Sequence, residues 1–455
     1  MAGSQASGGA AHAVAVIGGA TAGAEVAARL AARGVRVAVF EQNPRPYGKI
    51  EDGLPRWHVD LRRKEYETIG AKLCAPGVEY VPLTAVGRDV GFAELARAWG
   101  FSGMVLACGA WRDRPLPVEG ADAWVGKGLV YQNPFVIWFN HAGEAAYSGE
   151  RFEPLDDVLV VGGGLASIDV VKVLMLETTR ARLAERGIDV PMVQLEVKGI
   201  PRTLTAHGLA WEDLGLAGCT LFYRRRVLDM PLVEAPEGAT AERLAKVANA
   251  RQKLLEKAME KYRFRFEALA APDGLVVEGG RLAGLRFRRT RIEGGRVVPL
   301  DETWERRGAY VISSIGSIPA PMEGIPMKGE LYDFQDWDLG RLEGYPSVFA
   351  AGNVVTGKGN IVASRKHAAM VSEYVVEQFL GLGDGHAGEE AITDAAVRQA
   401  RELAGRVAEH LSACEPLPPP ALDALFARVR ERQQIVGYDG DYPAWIARVT
   451  PPDLE

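Results

Sequence analysis

Cysteine is scarce in this chain. Its four residues, Cys74, Cys108, Cys219 and Cys414, lie far apart among 455, and no C-x-x-C pair occurs. That spacing argues against a redox dithiol of the usual kind, a locally ligated iron–sulfur cluster and a zinc ribbon. It suits a reducing compartment in which thiols stay free. No apolar run reaches the roughly 18 residues that a membrane helix needs. The opening MAGSQASGGAAHA also lacks the basic and apolar regions of a signal peptide. A soluble, cytoplasmic protein with no membrane partner is therefore expected. Basic excess is missing too: a net charge of −6 and a pI near 5.8 leave no electrostatic footprint for nucleic acid.

The length of 455 residues exceeds what one core usually holds, so two or more domains are expected. Hydrophobic residues at 47% and charged residues at 25% are ordinary for a globular enzyme. Glycine is the departure. The 52 glycines follow no collagen-like period and point to tight turns near ligands.

Ala13–Gly18 is an apolar run that breaks into glycines, continues with helical spacing over Ala22–Arg33, and returns as the strand Val35–Phe40, closed by Glu41. This β-α-β unit implies a parallel sheet with helices on its faces. Its turn reads Gly18-Gly19-Ala20-Thr21-Ala22-Gly23. A dinucleotide fingerprint needs glycine for the turn, for close approach of pyrophosphate and for helix packing. Here Ala20 replaces the middle glycine. Glu41 stands where a carboxylate accepts hydrogen bonds from ribose hydroxyls.

A second unit starts at Val158–Val161 and turns through Gly162-Gly163-Gly164-Leu165 toward a helix over Ala166–Leu176. Its next strand, Thr220–Tyr223, is followed by Arg224, Arg225 and Arg226 and no acid. Arginine forks match a 2′-phosphate, so this unit reads as an NADP site. Further on, 239–265 is a helical stretch, 274–300 alternates like antiparallel strands, and Tyr310–Ile315 and Tyr345–Ala351 read as buried strands. Helices are expected over Ile361–Phe379 and 391–413.

Two dinucleotide units suggest FAD on the first and NADP(H) on the second. At this point the chain resembles the adrenodoxin-reductase type of ferredoxin–NADP reductase, with wider kinship to the glutamate synthase small-subunit group. The family's flavin-lining P-x-G-L-V-R-x-G-V-A-P-D-H appears here as Pro46-Tyr47-Gly48-Lys49-Ile50-Glu51-Asp52-Gly53-Leu54-Pro55-Arg56-Trp57-His58. Val86–Val90, Leu106–Ala110 and Phe135–Asn140 follow its other segments, and Tyr223-Arg224-Arg225 with Met230-Pro231 follows the glutamate synthase relatives. The resemblance implies FAD contacts at Gly18, Ala20, Ala22, Gly23, Glu41, Gly48, Lys49, Val86, Gly352, Asn353, Gly359, Asn360 and Ile361. It implies NADP contacts at Gly162, Gly163, Gly164, Leu165, Ala166, Arg224, Arg225 and Glu234, and no metal. Asn353 departs from the tryptophan or aspartate of related enzymes. His58 stands as a catalytic candidate, orienting or carrying a proton, against a plain packed histidine.

The implied fold is α/β, two Rossmann-like three-layer domains with the NADP domain inserted into the FAD domain. The expected parts are 1–125 and 326–455 for FAD and 126–325 for NADP. The implied activity is electron transfer from NADPH through FAD to a ferredoxin-like iron–sulfur protein. That acceptor would dock on a basic face including Arg243, Lys246, Arg251, Lys253, Lys257 and Lys261. The rival readings are an electron-input subunit of a larger complex, a flavin monooxygenase and a non-catalytic NADP-binding sensor.

Overall fold

The computed structural model describes residues 9–233, 238–337, 340–355 and 391–452. Two five-stranded parallel sheets organise it. The first has the spatial order Val348–Ala350, Gly103–Leu106, Ala13–Ile17, Arg36–Phe40 and Val78–Val81. The second runs Leu129–Tyr131, Val311–Ser314, Leu159–Gly162, Thr220–Tyr223 and Arg265–Ala268. Both central strands, AVAVI and LVVG, are buried along their whole length, as a parallel strand covered on both faces requires. Each sheet draws its strands from widely separated stretches of chain, so neither domain closes without long-range pairing.

An antiparallel three-stranded sheet, Ala270–Glu278, Arg281–Glu293 and Arg296–Arg307, packs on the second parallel sheet. Phe222 and Phe287 stack across that contact with centroids 4.1 Å apart. Between the two parallel sheets the chain crosses twice, and the crossings pair as a short antiparallel ribbon of Arg112–Asp113 with Ser317–Ile318.

The helix after the second glycine turn is longer than its sequence pattern indicates. Leu165–Ala184 is one continuous helix, and the expected insertion after residue 176 holds two further helices, Met192–Lys198 and Ile200–Ala206. Thr178 and Thr179 are buried within the long helix, so their polarity marked no exposed break. Toward the C-terminus, Ala391–Ser412 lies on the first nucleotide helix, Thr21–Ala31, where Ala400 and Ala404 meet Ala24 and Ala27 in one core. Pro419–Ile435 covers the edge strand Val78–Val81, and Gln433 Nε2 donates to the Tyr80 carbonyl at 2.8 Å. That bond occupies an acceptor an open sheet edge would leave bare.

Candidate nucleotide-binding sites

In the first turn the glycines are fixed by backbone contacts. Gly18 has φ +99°, and a Cβ there would lie 2.6 Å from the Ala107 carbonyl oxygen. A Cβ on Gly23 would collide with the Gly18 carbonyl, so the third glycine lets helix and turn close together. Thr21–Ala31 begins with neither a side-chain cap nor an acid in its first turn. Its first N–H groups and the positive end of its dipole are thus directed at whatever fills the turn. Ala20 stands at the cap position, and its methyl lies 2.9 Å from where a Cβ on Gly48 would be. The alanine and the glycine are a fitted pair.

Glu41, at the end of the neighbouring strand, accepts the Gly19 N–H at 2.8 Å and the Asn43 N–H at 2.9 Å. Burial pushes its carboxyl up to about 7, against the lowering effect of those bonds. Each oxygen retains a lone pair for a ribose hydroxyl. Gly352 follows the Val348–Ala350 strand, and a Cβ on it would approach the Ala22 methyl to 3.2 Å. Asn353 beside it is exposed, whereas Val86 is buried in the core below. Gly359, Asn360, Ile361 and the helix expected from Ile361, like Glu234, lie outside the described residues.

The second turn is built differently. A Cβ on Gly162 would strike the Ser167 side chain and the Ser314 carbonyl, and one on Gly163 would enter the Tyr223 ring. Gly164 has nothing within 4 Å of its Cβ position. It caps Leu165–Ala184, a 20-residue helix with no side-chain cap and no acid in its first turn, where Ala166 is exposed. This open backbone is where an anionic group can approach. Of the three arginines, Arg224 is exposed and carries no ion pair among the described residues. The Arg225 guanidinium donates to the Gly295 carbonyl at 3.1 Å, from the turn of an antiparallel hairpin, and lies 3.8 Å from Asp229. Arg226 is bound to Asp229 through two nitrogens, each at 2.9 Å.

His58 is fully buried at the start of the Val59–Leu73 helix, its ring 6.1 Å from that of Trp57. Trp57 packs in turn on Phe139 at 5.2 Å, as core. The acids of the same segment serve local structure. Glu51 pairs with Arg45, and Asp52 contacts His141 at 3.0 Å. In the basic helix Ala241–Tyr262, Arg243, Lys246, Lys253 and Lys257 are exposed, whereas Arg251 and Lys261 are partly buried. Arg251 turns back to the carbonyls of Val233 and Leu228, and Lys261 is half-buried near Glu196, while Lys246 pairs with Glu242.

Sequence reasoning missed the group that meets Lys49 between the two sheets. Lys49 Nζ donates to Asn133 Oδ1 at 3.4 Å and to Ser317 Oγ at 3.2 Å, and lies 5.4 Å over the Trp111 ring. Asp113 accepts the Asn133 N–H at 3.2 Å, and burial pushes its carboxyl up to about 6 although that bond and Lys49 lower it. The available signal was Lys49 itself, a charge in a frame the resembling family fills with leucine. Its partners come from remote stretches that only the fold brings together.

A parallel sheet ending in a glycine turn and an uncapped helix occurs twice, so the fold is that of a two-dinucleotide α/β protein. No family model matches the chain. The chain is 30% identical over 168 residues to the NADPH-Fe(3+) oxidoreductase subunit beta of Geobacter sulfurreducens, 36% of this chain and 23% of that protein. It therefore spans about a quarter of that relative's length. It is 22% identical over 399 residues to the mitochondrial NADPH:adrenodoxin oxidoreductase of Arabidopsis thaliana, 78% of this chain and 80% of that one. Glutamate synthase small chains are also among its relatives. The solved structure of Mycobacterium tuberculosis FprA in complex with NADPH matches with a TM-score of 0.59 at 21% identity, covering 87% of this chain and 90% of that one. The resemblance to adrenodoxin-reductase-type proteins and glutamate synthase small chains thus extends over most of the chain, and the FprA likeness extends the fold match. No described helix is long and apolar enough to cross a membrane.

Proposed function

We propose that this chain is an FAD-dependent NADPH oxidoreductase that passes electrons to a ferredoxin-like iron–sulfur protein. The observation that carries the reading is the pair of uncapped helix N-termini on two parallel sheets of one chain, one with a terminal acid and the other with exposed arginine. FAD belongs on the first unit, formed from 1–125 and 326–455, and NADPH on the second, 126–325. The residues fit both groups: the turns at Gly18 and Gly164 admit phosphate to bare backbone, Glu41 holds ribose acceptors, and Arg224 presents a charge for a 2′-phosphate. Flavin supplies the chemistry that turns hydride oxidation into single-electron delivery. The chain binds and orients the two nucleotides.

Relatives named for NADPH and for adrenodoxin support this reading, and free thiols agree with a cytoplasmic setting. The exposed cations Arg243, Lys246, Lys253 and Lys257 offer an acidic acceptor a docking edge. Two relatives are named as subunits or small chains, which favours a second reading as the electron-input part of a complex. The test is the visible spectrum of pure protein before and after NADPH, with a panel of ferredoxins present. Flavin bands that bleach with NADPH and return with a ferredoxin support the proposal. A colourless protein that takes up no FAD overturns it, and co-purification with a large partner supports the second reading.

A further inference from the structure

Lys49 is a cation in the segment that approaches the first nucleotide turn. Gly48 packs on Ala20 at the start of the Thr21–Ala31 helix, so Lys49 directly follows the residue that meets the first glycine turn. The ammonium group has a built seat. Asn133, which receives it, donates from its own amide to the Trp111 carbonyl at 2.9 Å and the Ser317 hydroxyl at 3.1 Å. The seat combines the first turn of the Gln132–His141 helix with the ribbon that joins the two sheets. Burial lowers the lysine pKa, and the Asp113 carboxylate opposes that effect.

We infer that Lys49, seated on Asn133 and Ser317, is the fixed cation that raises the reduction potential of the flavin on the first unit. The inference rests on the FAD reading above. Hydride brings two electrons and one proton from the nicotinamide to the ring. The nicotinamide becomes its cationic oxidised form, and the neutral oxidised flavin becomes an anion with no further proton required. A positive charge held near the ring stabilises that anion over the neutral ring, whereas leucine at the same place supplies none. Lys49 thus sets how far NADPH drives flavin reduction.

The experiment uses the full chain loaded with FAD and compares wild type, Lys49→Arg, Lys49→Met and Lys49→Gln by redox titration of the bound flavin. Glutamine retains a donor for Asn133 and Ser317 without the charge, so it separates charge from packing if methionine disturbs the fold. Both neutral variants are expected to lower the equilibrium constant for two-electron reduction at least tenfold, a fall of about 30 mV. Arginine should keep the potential near wild type. An unchanged potential in Lys49→Gln with FAD still bound overturns the inference and leaves the FAD reading standing. Wild-type protein that binds no FAD overturns both.

Discussion

Arg401 Nε lies 2.5 Å from Glu25 Oε1, an ion pair that ties the first nucleotide helix to a helix 376 residues further along. Glu25 is buried and also receives Lys72 at 2.8 Å and Arg29 at 2.9 Å, so one carboxylate gathers three cations. Burial alone raises its pKa, but these hydrogen bonds outweigh it and hold the group at about 2.

Glu25→Gln is therefore expected to destabilise the protein without removing the glycine turns. Breaking a buried pair costs about 3–5 kcal/mol, but the Arg401 and Arg29 side chains are about half exposed. Screening reduces the expected loss to about 1–3 kcal/mol. The folded pKa is depressed below its usual value, so this contribution is complete above about pH 4.5 and fades as pH falls toward 2. Denaturant melts at pH 7 and pH 3 check it, and the gap between variant and wild type should be smaller at pH 3.

Gly48 and Ala20 are expected to couple. Gly48 has φ 51° and ψ −131°, a region essentially reserved for glycine, and any Cβ there meets the Ala20 methyl. Strain of this kind costs of order 1–3 kcal/mol. Gly48→Ala should weaken FAD retention at least tenfold. Adding Ala20→Gly removes the collision but not the strain, so the double variant should recover only part of the loss. Ala20→Gly alone should change FAD affinity little. Equilibrium dialysis of the three variants measures this, and strictly additive effects would refute the pairing.

No thiol is expected to act in turnover. Burial pushes Cys108 up to about 11 and raises Cys219 further, so neither presents a thiolate at neutral pH. Cys74 and Cys414 are exposed and free. Replacing all four by alanine should leave NADPH-to-dye activity within a few-fold once folding is verified by circular dichroism. Alanine is the safer choice at position 219, because serine would bury a hydroxyl.

Much of the core was legible because it is local. Strand, glycine turn, helix and strand are contiguous at Ala13–Glu41, and each step obeys a short-range rule of turn geometry or helix spacing. The strand after Thr220 was equally plain. The span of the Leu165–Ala184 helix was not, since buried Thr178 and Thr179 mimic a break that tertiary packing overrides. The Lys49 seat was invisible for a different reason. Asn133 and Ser317 lie 84 and 268 residues away, and no periodicity links them. Counting cations along the basic helix could not show that Arg251 turns inward to backbone carbonyls.

Cofactor choice is expected to rest unequally on the arginines after the Thr220–Tyr223 strand. Arg226 is already committed to Asp229, so a 2′-phosphate would compete with a two-nitrogen ion pair. Arg225 is held by the Gly295 carbonyl and keeps donors to spare, while Arg224 is exposed and carries its charge without a partner among the described residues. A hydrogen bond to a charged group is worth roughly 1.5–3 kcal/mol, and about 1.4 kcal/mol is a factor of ten. Arg224→Ala should raise the KM for NADPH at least tenfold. Arg225→Ala should act similarly or less, and Arg226→Ala by under threefold. The double change at 224 and 225 should approach about a hundredfold, with the KM for NADH nearly constant and flavin content unaltered, because the unit proposed for FAD is the other sheet. Steady-state kinetics with both nucleotides decides the matter. A double variant that still prefers NADPH, or a wild type that prefers NADH, places the 2′-phosphate elsewhere.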